Sequence, residues 1–275
     1  MGYVLPHQLH DALRFIAGTE ACVIAGGTDV YPAMQPGRTP PTFLDVTRIE
    51  GFDRIGRTAE GVRFGAAVTW SDVFLADLPP AFAALKQAAR EVGGLQIQNA
   101  GTLAGNICNA SPAADSVPPL LALDAEVEIA SATREVRRMP LADFITGVRQ
   151  TVLQPDELVT ALHIPPPPEG MTASFEKLGS RKYLVISIVM TAANIVLDTQ
   201  GRIATARIAV GACSAVAQRL TALEADLIGQ DPARVEIAPE HLAQLAPIDD
   251  VRGTGTYRRA AAAEQIARAI GKALQ

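Results

Sequence analysis

Four consecutive prolines, Pro165-Pro166-Pro167-Pro168, constrain this 275-residue chain more than any other stretch. Proline lacks a backbone N–H and fixes φ, so the run can continue neither a helix nor a central strand and marks a boundary between folding units. Length agrees, because 275 residues exceed what one hydrophobic core usually organises. A second change follows Asp45-Val46-Thr47-Arg48, where Gly51 and Gly56 interrupt the pattern near residue 55. The sequence therefore predicts three pieces, residues 1–55, 56–168 and 169–275.

Hydrophobic residues make up 48% of the chain and aromatic ones only 5%, so its cores must be built from Ala, Leu, Ile and Val. The best apolar run, residues 184–193, is too short to cross a bilayer, which takes roughly 20 residues. The first residues lack the basic start and long apolar core of a secretory signal, and no twin-arginine pair precedes an apolar run, so a cytoplasmic location is expected. A net charge of −5 disfavours a nucleic-acid surface. The one basic cluster, 134–138, is broken by Glu135 and Val136 and reads as a solvated edge.

Two glycine-rich stretches carry the chemistry. The first is Val23-Ile24-Ala25-Gly26-Gly27-Thr28-Asp29-Val30, in which an apolar run reads as a short buried strand ending on a double glycine. The second is Gly101-Thr102-Leu103-Ala104-Gly105-Asn106, followed by Ala110-Ser111-Pro112-Ala113-Ala114-Asp115. A diphosphate needs several N–H donors close by, and only small residues let the backbone approach that near. Together the stretches read as a two-part diphosphate cradle. The first loop alone also suits a plain strand-to-helix turn with Thr28 or Asp29 as cap. The second, residues 96–111, is rich in small and amide residues and poor in charge, a composition that suits a buried polar pocket. Asp115 could accept a hydrogen bond from a ribose hydroxyl or cap the next helix. Neither Gly-x-Gly-x-x-Gly nor Gly-Lys-Ser/Thr occurs at these loops, which disfavours a Rossmann site and a phosphate-loop NTPase.

Cys22, Cys108 and Cys213 are isolated, so no zinc or iron–sulfur set can be assembled from them. Cys22 reads as core, and Cys108 as either core or solvent-facing. His7, His10, His163 and His241 are scattered, with none in a glycine loop, and His163 reads as an incidental strand residue. No Ser-His-Asp or paired-carboxylate constellation is visible.

Taken in order, the motifs resemble those of the FAD-binding subunit, or FAD domain, of the molybdenum hydroxylases. They run from Pro6 and the helical run 9–17 through Ala25-Gly26-Gly27-Thr28-Asp29 and Gly65-Ala66-Ala67-Val68-Thr69 to the second glycine stretch and Ser111-Pro112-Ala113-Ala114-Asp115. Phe175-Glu176-Lys177, Ser180-Arg181-Lys182 and the closing Asp250-Val251-Arg252-Gly253-Thr254-Gly255-Thr256-Tyr257-Arg258-Arg259 complete them. The resemblance implies an α+β fold: a two-lobed FAD-binding domain of the vanillyl-alcohol-oxidase/PCMH type, and a C-terminal α+β domain of antiparallel strands and helices.

It also implies FAD as this chain's cofactor, bound by Val23, Ile24, Ala25, Gly26, Gly27, Thr28, Asp29, Val30, Ala66, Thr102, Leu103, Ala104, Gly105, Asn106, Ser111, Asp115, Leu158 and Lys177. Leu158 would pack on the isoalloxazine ring, and the Lys177 cation would favour the reduced, anionic flavin. An iron–sulfur subunit with two iron–sulfur clusters and a subunit holding the molybdopterin cofactor are the implied partners, in a dimer of heterotrimers. Electrons would enter from the clusters and leave to NAD, oxygen or a quinone. No extra cysteine-rich insertion for a further cluster is present. A self-contained FAD oxidoreductase of the same two-lobed fold and a flavin-free interaction module are the alternatives; the intact glycine loops argue against the second. Two residues depart from the family pattern. Val185 stands where an acidic residue is common, a change expected to touch local C-terminal packing, and Ala104 stands where glycine is frequent.

Overall fold

The computed structural model describes residues 2–35, 40 and 42–275. Three main sheets follow one another along the chain. The first is a parallel, three-stranded sheet in the order Gly2–Val4, Thr42–Asp45, Cys22–Ile24. The amphipathic helix Leu9–Gly18 crosses between its first two strands in sequence and buries Ala12, Leu13 and Ile16, spaced for one helical face.

The second sheet is antiparallel, in the order Ile55–Thr58, Gly61–Gly65, Glu157–Ile164, Glu126–Ser131, Arg137–Pro140. Between its second and third strands in sequence lies a run of short helices, Trp70–Leu75, Ala83–Glu91, Leu95–Ala100, Leu103–Asn109 and Val117–Ala122. Thr69 starts the first of them with a reciprocal cap, accepting from the Asp72 N–H while the Asp72 carboxylate accepts from the Thr69 N–H. Gly65 just before it is required by space, since a Cβ there would lie 2.3 Å from the Phe52 carbonyl oxygen.

The third sheet is an antiparallel meander of Thr172–Leu178, Val189–Leu197, Ile203–Gly211 and Gln218–Arg219. Its long second strand is apolar at nearly every position because both faces are covered. Val189, Ala193 and Ile195 pack toward the helix Gly255–Ala273, while Met190 and Ala192 pack with Ala84, Ala88 and Ala122 of the helical run. That arrangement ties the third sheet to the helices beside the second. The Phe175 N–H donates to Gln87 Oε1 at 2.7 Å, Asn194 Nδ2 to the Ala81 carbonyl at 3.0 Å, and the Ala212 N–H to the Pro112 carbonyl at 2.9 Å. No helix among the described residues is long and apolar enough to cross a membrane.

Several local expectations need correcting. The strand predicted within 21–25 is a three-residue edge strand, and its middle residue Val23 is 39% exposed rather than buried. The stretch 96–111 is a pocket only in part, because the helix Leu95–Ala100 sits on the surface with Leu95 and Ile97 exposed. The basic cluster 134–138 is more than a solvated edge: Arg134 and Arg137 converge on the buried Glu157 carboxylate, at 3.4 and 2.9 Å. His163 is no incidental residue either, since its Nε2 lies 2.8 Å from Glu128 Oε2.

Glu128 is the hub of a polar cluster on the second sheet, taking contacts from Thr160, His163, Arg63 and Arg138. Burial favours its protonated form, but hydrogen bonds from Thr160 and His163 and the Arg63 charge outweigh this and hold the carboxyl at about 2. A depressed carboxyl stabilises the fold fully above the unfolded carboxylate range, near ~4.3, and loses that contribution as pH falls toward the folded value. Glu128→Gln is therefore expected to lower Tm at neutral pH and to flatten the acid loss in that window. Thermal melts across acid pH check this, and a variant with the wild-type acid profile would refute it.

Candidate functional site

A cleft of about 670 Å³ opens where the first sheet, the helical run and the start of the third sheet meet. Its first wall is the loop after Cys22–Ile24. Gly27 sits there at φ +67°, a left-handed conformation that suits glycine, and a Cβ would also strike the Tyr31 ring. Asp29 occupies the N-cap position of the single turn Val30–Ala33 without a side-chain capping bond. None of the N–H groups of Gly26, Gly27, Thr28 or Asp29 donates to another described residue.

The second wall is Gly101 to Asn106, at the start of the helix Leu103–Asn109, where Thr102 Oγ1 accepts from the Gly105 N–H at 2.9 Å. The two glycine loops touch backbone to backbone, since a Cβ on Gly26 would lie 1.8 Å from the Ala100 carbonyl oxygen. Gly105, by contrast, has only Thr102 Oγ1 near its missing Cβ and is exposed on the cleft side. Asn106 lines the cleft and also braces the next turn, its Oδ1 accepting from Ser116 Oγ at 2.6 Å. Ser111 Oγ accepts from the Ala113 N–H.

Asp115 and Lys177 meet in the remaining wall. Lys177 Nζ donates to Asp115 Oδ2 at 2.7 Å, with the two side chains 5% and 9% exposed. Ser187 Oγ donates to the other carboxylate oxygen at 2.6 Å. Burial pushes the Asp115 carboxyl up, against the pull of the Lys177 charge and of hydrogen bonds from Lys177 and Ser187. Asp115 does not cap the following helix Val117–Ala122, whose N-cap is Ser116; its oxygens accept instead from Lys177 on the third sheet and from Ser187 just ahead of that sheet's second strand.

Every other sequence-predicted residue lines the cleft except Leu103, which points into the core with none of its surface exposed. Ala66 and Leu158 form the floor and are nearly buried. Glu157 and Leu158 open the strand Glu157–Ile164. Ala104 lies in the helix with negative φ, so a Cβ there is no obstacle. Cys108 faces the cleft and is exposed there.

Sequence reasoning missed Val92 and Gly93, Arg149, and the segment Leu184, Val185 and Ile186, all of which line the cleft. Val185, the departure from the family pattern, therefore touches the cleft itself and packs on Gly179, where a Cβ would lie 2.4 Å from its Cγ1. Leu184 and Ile186 are more than half exposed. Apolar exposure beside an open cleft was the one available signal for them, and it needs the fold to be seen.

The closing motif lies outside the cleft. Thr254 caps the helix Gly255–Ala273 by accepting from the Tyr257 N–H. Arg258, 3% exposed, donates to the carbonyls of Ile188 and Ala212 and to the Asp250 carboxylate.

Residues 1–167 match the family model described as the FAD binding domain in molybdopterin dehydrogenase, and residues 174–273 match the CO dehydrogenase flavoprotein C-terminal domain. The 6-hydroxypseudooxynicotine dehydrogenase complex subunit alpha of Paenarthrobacter nicotinovorans is 31% identical over 99% of this chain and 94% of its own length. The carbon monoxide dehydrogenase medium chain of Afipia carboxidovorans is 30% identical over 98% of this chain and 96% of its own. Among solved structures, a Cu,Mo-CO dehydrogenase chain superposes with a TM-score of 0.90 at 26% identity, covering 99% of this chain and 97% of that one. A chain of quinoline 2-oxidoreductase from Pseudomonas putida 86 gives 0.87 at 26% identity, covering 99% and 96%. With both parts matched and likeness running nearly end to end, the chain belongs to the FAD-binding subunits of the molybdenum hydroxylases, a family of oxidoreductases.

Proposed function

We propose that the cleft holds an extended FAD, its diphosphate on the loops 25–29 and 101–106 and its ring end between Leu158, Lys177 and residues 184–186. The observation that carries this is the meeting of the two glycine loops at one cleft, where the N–H groups of Gly26 to Asp29 have no partner among the described residues and the small residues of 101–106 leave room for close approach. The residues present fit the cofactor on three counts. The volume is that of a cofactor site, the donors suit an anion, and Leu158, Leu184 and Ile186 supply apolar area for a flat ring.

In this reading the chain collects electrons from iron–sulfur clusters on one partner subunit, themselves supplied by a molybdenum-cofactor subunit, and hands them to an external acceptor such as NAD, oxygen or a quinone. Bound flavin would supply the exchange between single electrons and a pair. This chain's own part is to position the ring, exclude water beneath it with Leu158 and Ala66, and set the charge around it with Lys177 and Asp115. The names of the relatives, subunit alpha of a dehydrogenase complex and medium chain, support a multi-subunit assembly, which we take to be a dimer of heterotrimers in the cytoplasm.

Purifying the native assembly tests the reading. The expected result is about one FAD per copy of this chain, with molybdenum, iron and two further chains co-purifying. Flavin without metals or partners, together with turnover of a small substrate by this chain alone, would overturn it in favour of a self-contained oxidoreductase.

A further inference from the structure

Lys177 by itself would present a full positive charge to the cleft, but Asp115 stands against it at 2.7 Å and Ser187 supports the carboxylate from the other side. Lys177 Nζ has one further acceptor, the Glu91 carbonyl at 3.2 Å. The next charges in this neighbourhood, Glu91, Glu176 and Lys182, are separate side chains with no hydrogen bond to the pair. A cation with a contact counter-ion acts on its surroundings as a dipole, whose field falls off faster than that of a free charge. A ring against this wall therefore meets a nearly neutral unit.

We propose that Asp115 is the counter-ion that sets how strongly Lys177 favours reduced flavin, so that the ion pair, and not the lysine alone, fixes the midpoint potential of bound FAD. The inference rests on the FAD reading above, with the ring end at Lys177. Reduction takes up two electrons and one proton and leaves the ring one unit more negative, so any net positive charge beside it raises the potential. Asp115 acts here as a positioning and charge-setting residue. It orients the ammonium and offsets its charge, while the hydrogen bond from Ser187 favours the ionised carboxylate against the burial that opposes it.

The test is a redox titration of the flavin bands in the purified complex, with dithionite as reductant, for wild type, Asp115→Asn, Lys177→Met and the double variant. All four proteins are read at the same neutral pH, because burial pushes the Asp115 carboxyl up and acid would neutralise the counter-ion under test. Asp115→Asn is expected to shift the potential upward by at least a tenfold gain in preference for the reduced form, about 30 mV for a two-electron couple. Lys177→Met should shift it downward, and the double variant, again neutral, should return close to wild type.

A potential unmoved by Asp115→Asn but lowered by Lys177→Met would show the lysine acting alone and overturn the inference. So would a lack of response to either. If Asp115→Asn fails to hold flavin, Ser187→Ala keeps both charges and is expected to move the potential in the same upward direction by less; no shift, or a downward one, counts against the proposal. Wild-type complex that carries no FAD would instead defeat the cofactor reading itself, a distinct result.

Discussion

Gly26→Ala is expected to empty the cleft of flavin. The added Cβ would lie 1.8 Å from the Ala100 carbonyl oxygen, 2.2 Å from its carbon and 2.9 Å from the Gly101 nitrogen. All three are backbone atoms, so no side chain can rotate aside, and the two loops must part by more than an ångström to restore ordinary contact. Hydrogen bonds weaken steeply with such displacement, and those to charged acceptors contribute about 1.5–3 kcal/mol each. Losing two on the diphosphate predicts FAD binding weakened at least a hundredfold, about 2.7 kcal/mol. Flavin content after gel filtration and a fluorescence titration measure it. Gly56→Ala is the control, because a Cβ there meets nothing within 4 Å. A Gly26→Ala protein purified with wild-type flavin would remove the diphosphate cradle from the argument.

Arg258→Ala should damage the fold rather than the cleft chemistry. Nη1 donates to the Ile188 carbonyl at 2.7 Å and to the Ala212 carbonyl at 3.1 Å, and Nη2 donates to Asp250 Oδ1 at 2.7 Å. Truncation leaves two carbonyls without this donor in a site where the arginine was 3% exposed, while Asp250 keeps its contacts with Arg252, a loss of about 2–5 kcal/mol. Melting should fall by about 10 °C. Lysine should recover little, since one ammonium cannot reproduce the fork that spans these acceptors. The surface pair Arg268 and Glu264, each more than half exposed, provides the contrast: Arg268→Ala is expected to change stability by about 0.5 kcal/mol or less. Similar melting losses for Arg258→Ala and Arg268→Ala would refute the assignment.

Features of local chemistry were legible in the sequence. The prolines 165–168 fall between a strand that ends at Ile164 and one that begins at Thr172, because proline cannot serve a ladder on either side. The glycine loops were visible because close backbone approach admits few other residues. Harder to see was anything set by tertiary contact. Three residues of edge strand carry too little pattern to reveal that Val23 faces outward. Helical periodicity across a seven-residue helix likewise does not separate buried Leu103 from cleft-facing Gly105 and Cys108. Nothing local announces that Asp115 will find Lys177 and Ser187, since all three lie on different elements. The segment Leu184 to Ile186 opens the apolar run 184–193, yet the strand in that run begins only at Val189 and the earlier residues line the cleft.

Arg258 also bears on the order in which the protein is made. It grips the carbonyl of Ile188, whose neighbour Ser187 holds Asp115, and residues 184–186 just before them form the cleft wall. A nascent chain that has released only its first two sheets from the ribosome thus has both glycine loops but neither the lysine nor the clamp that closes the site. On the FAD reading above, chains truncated before the final helix are expected to purify colourless, which an absorption spectrum checks.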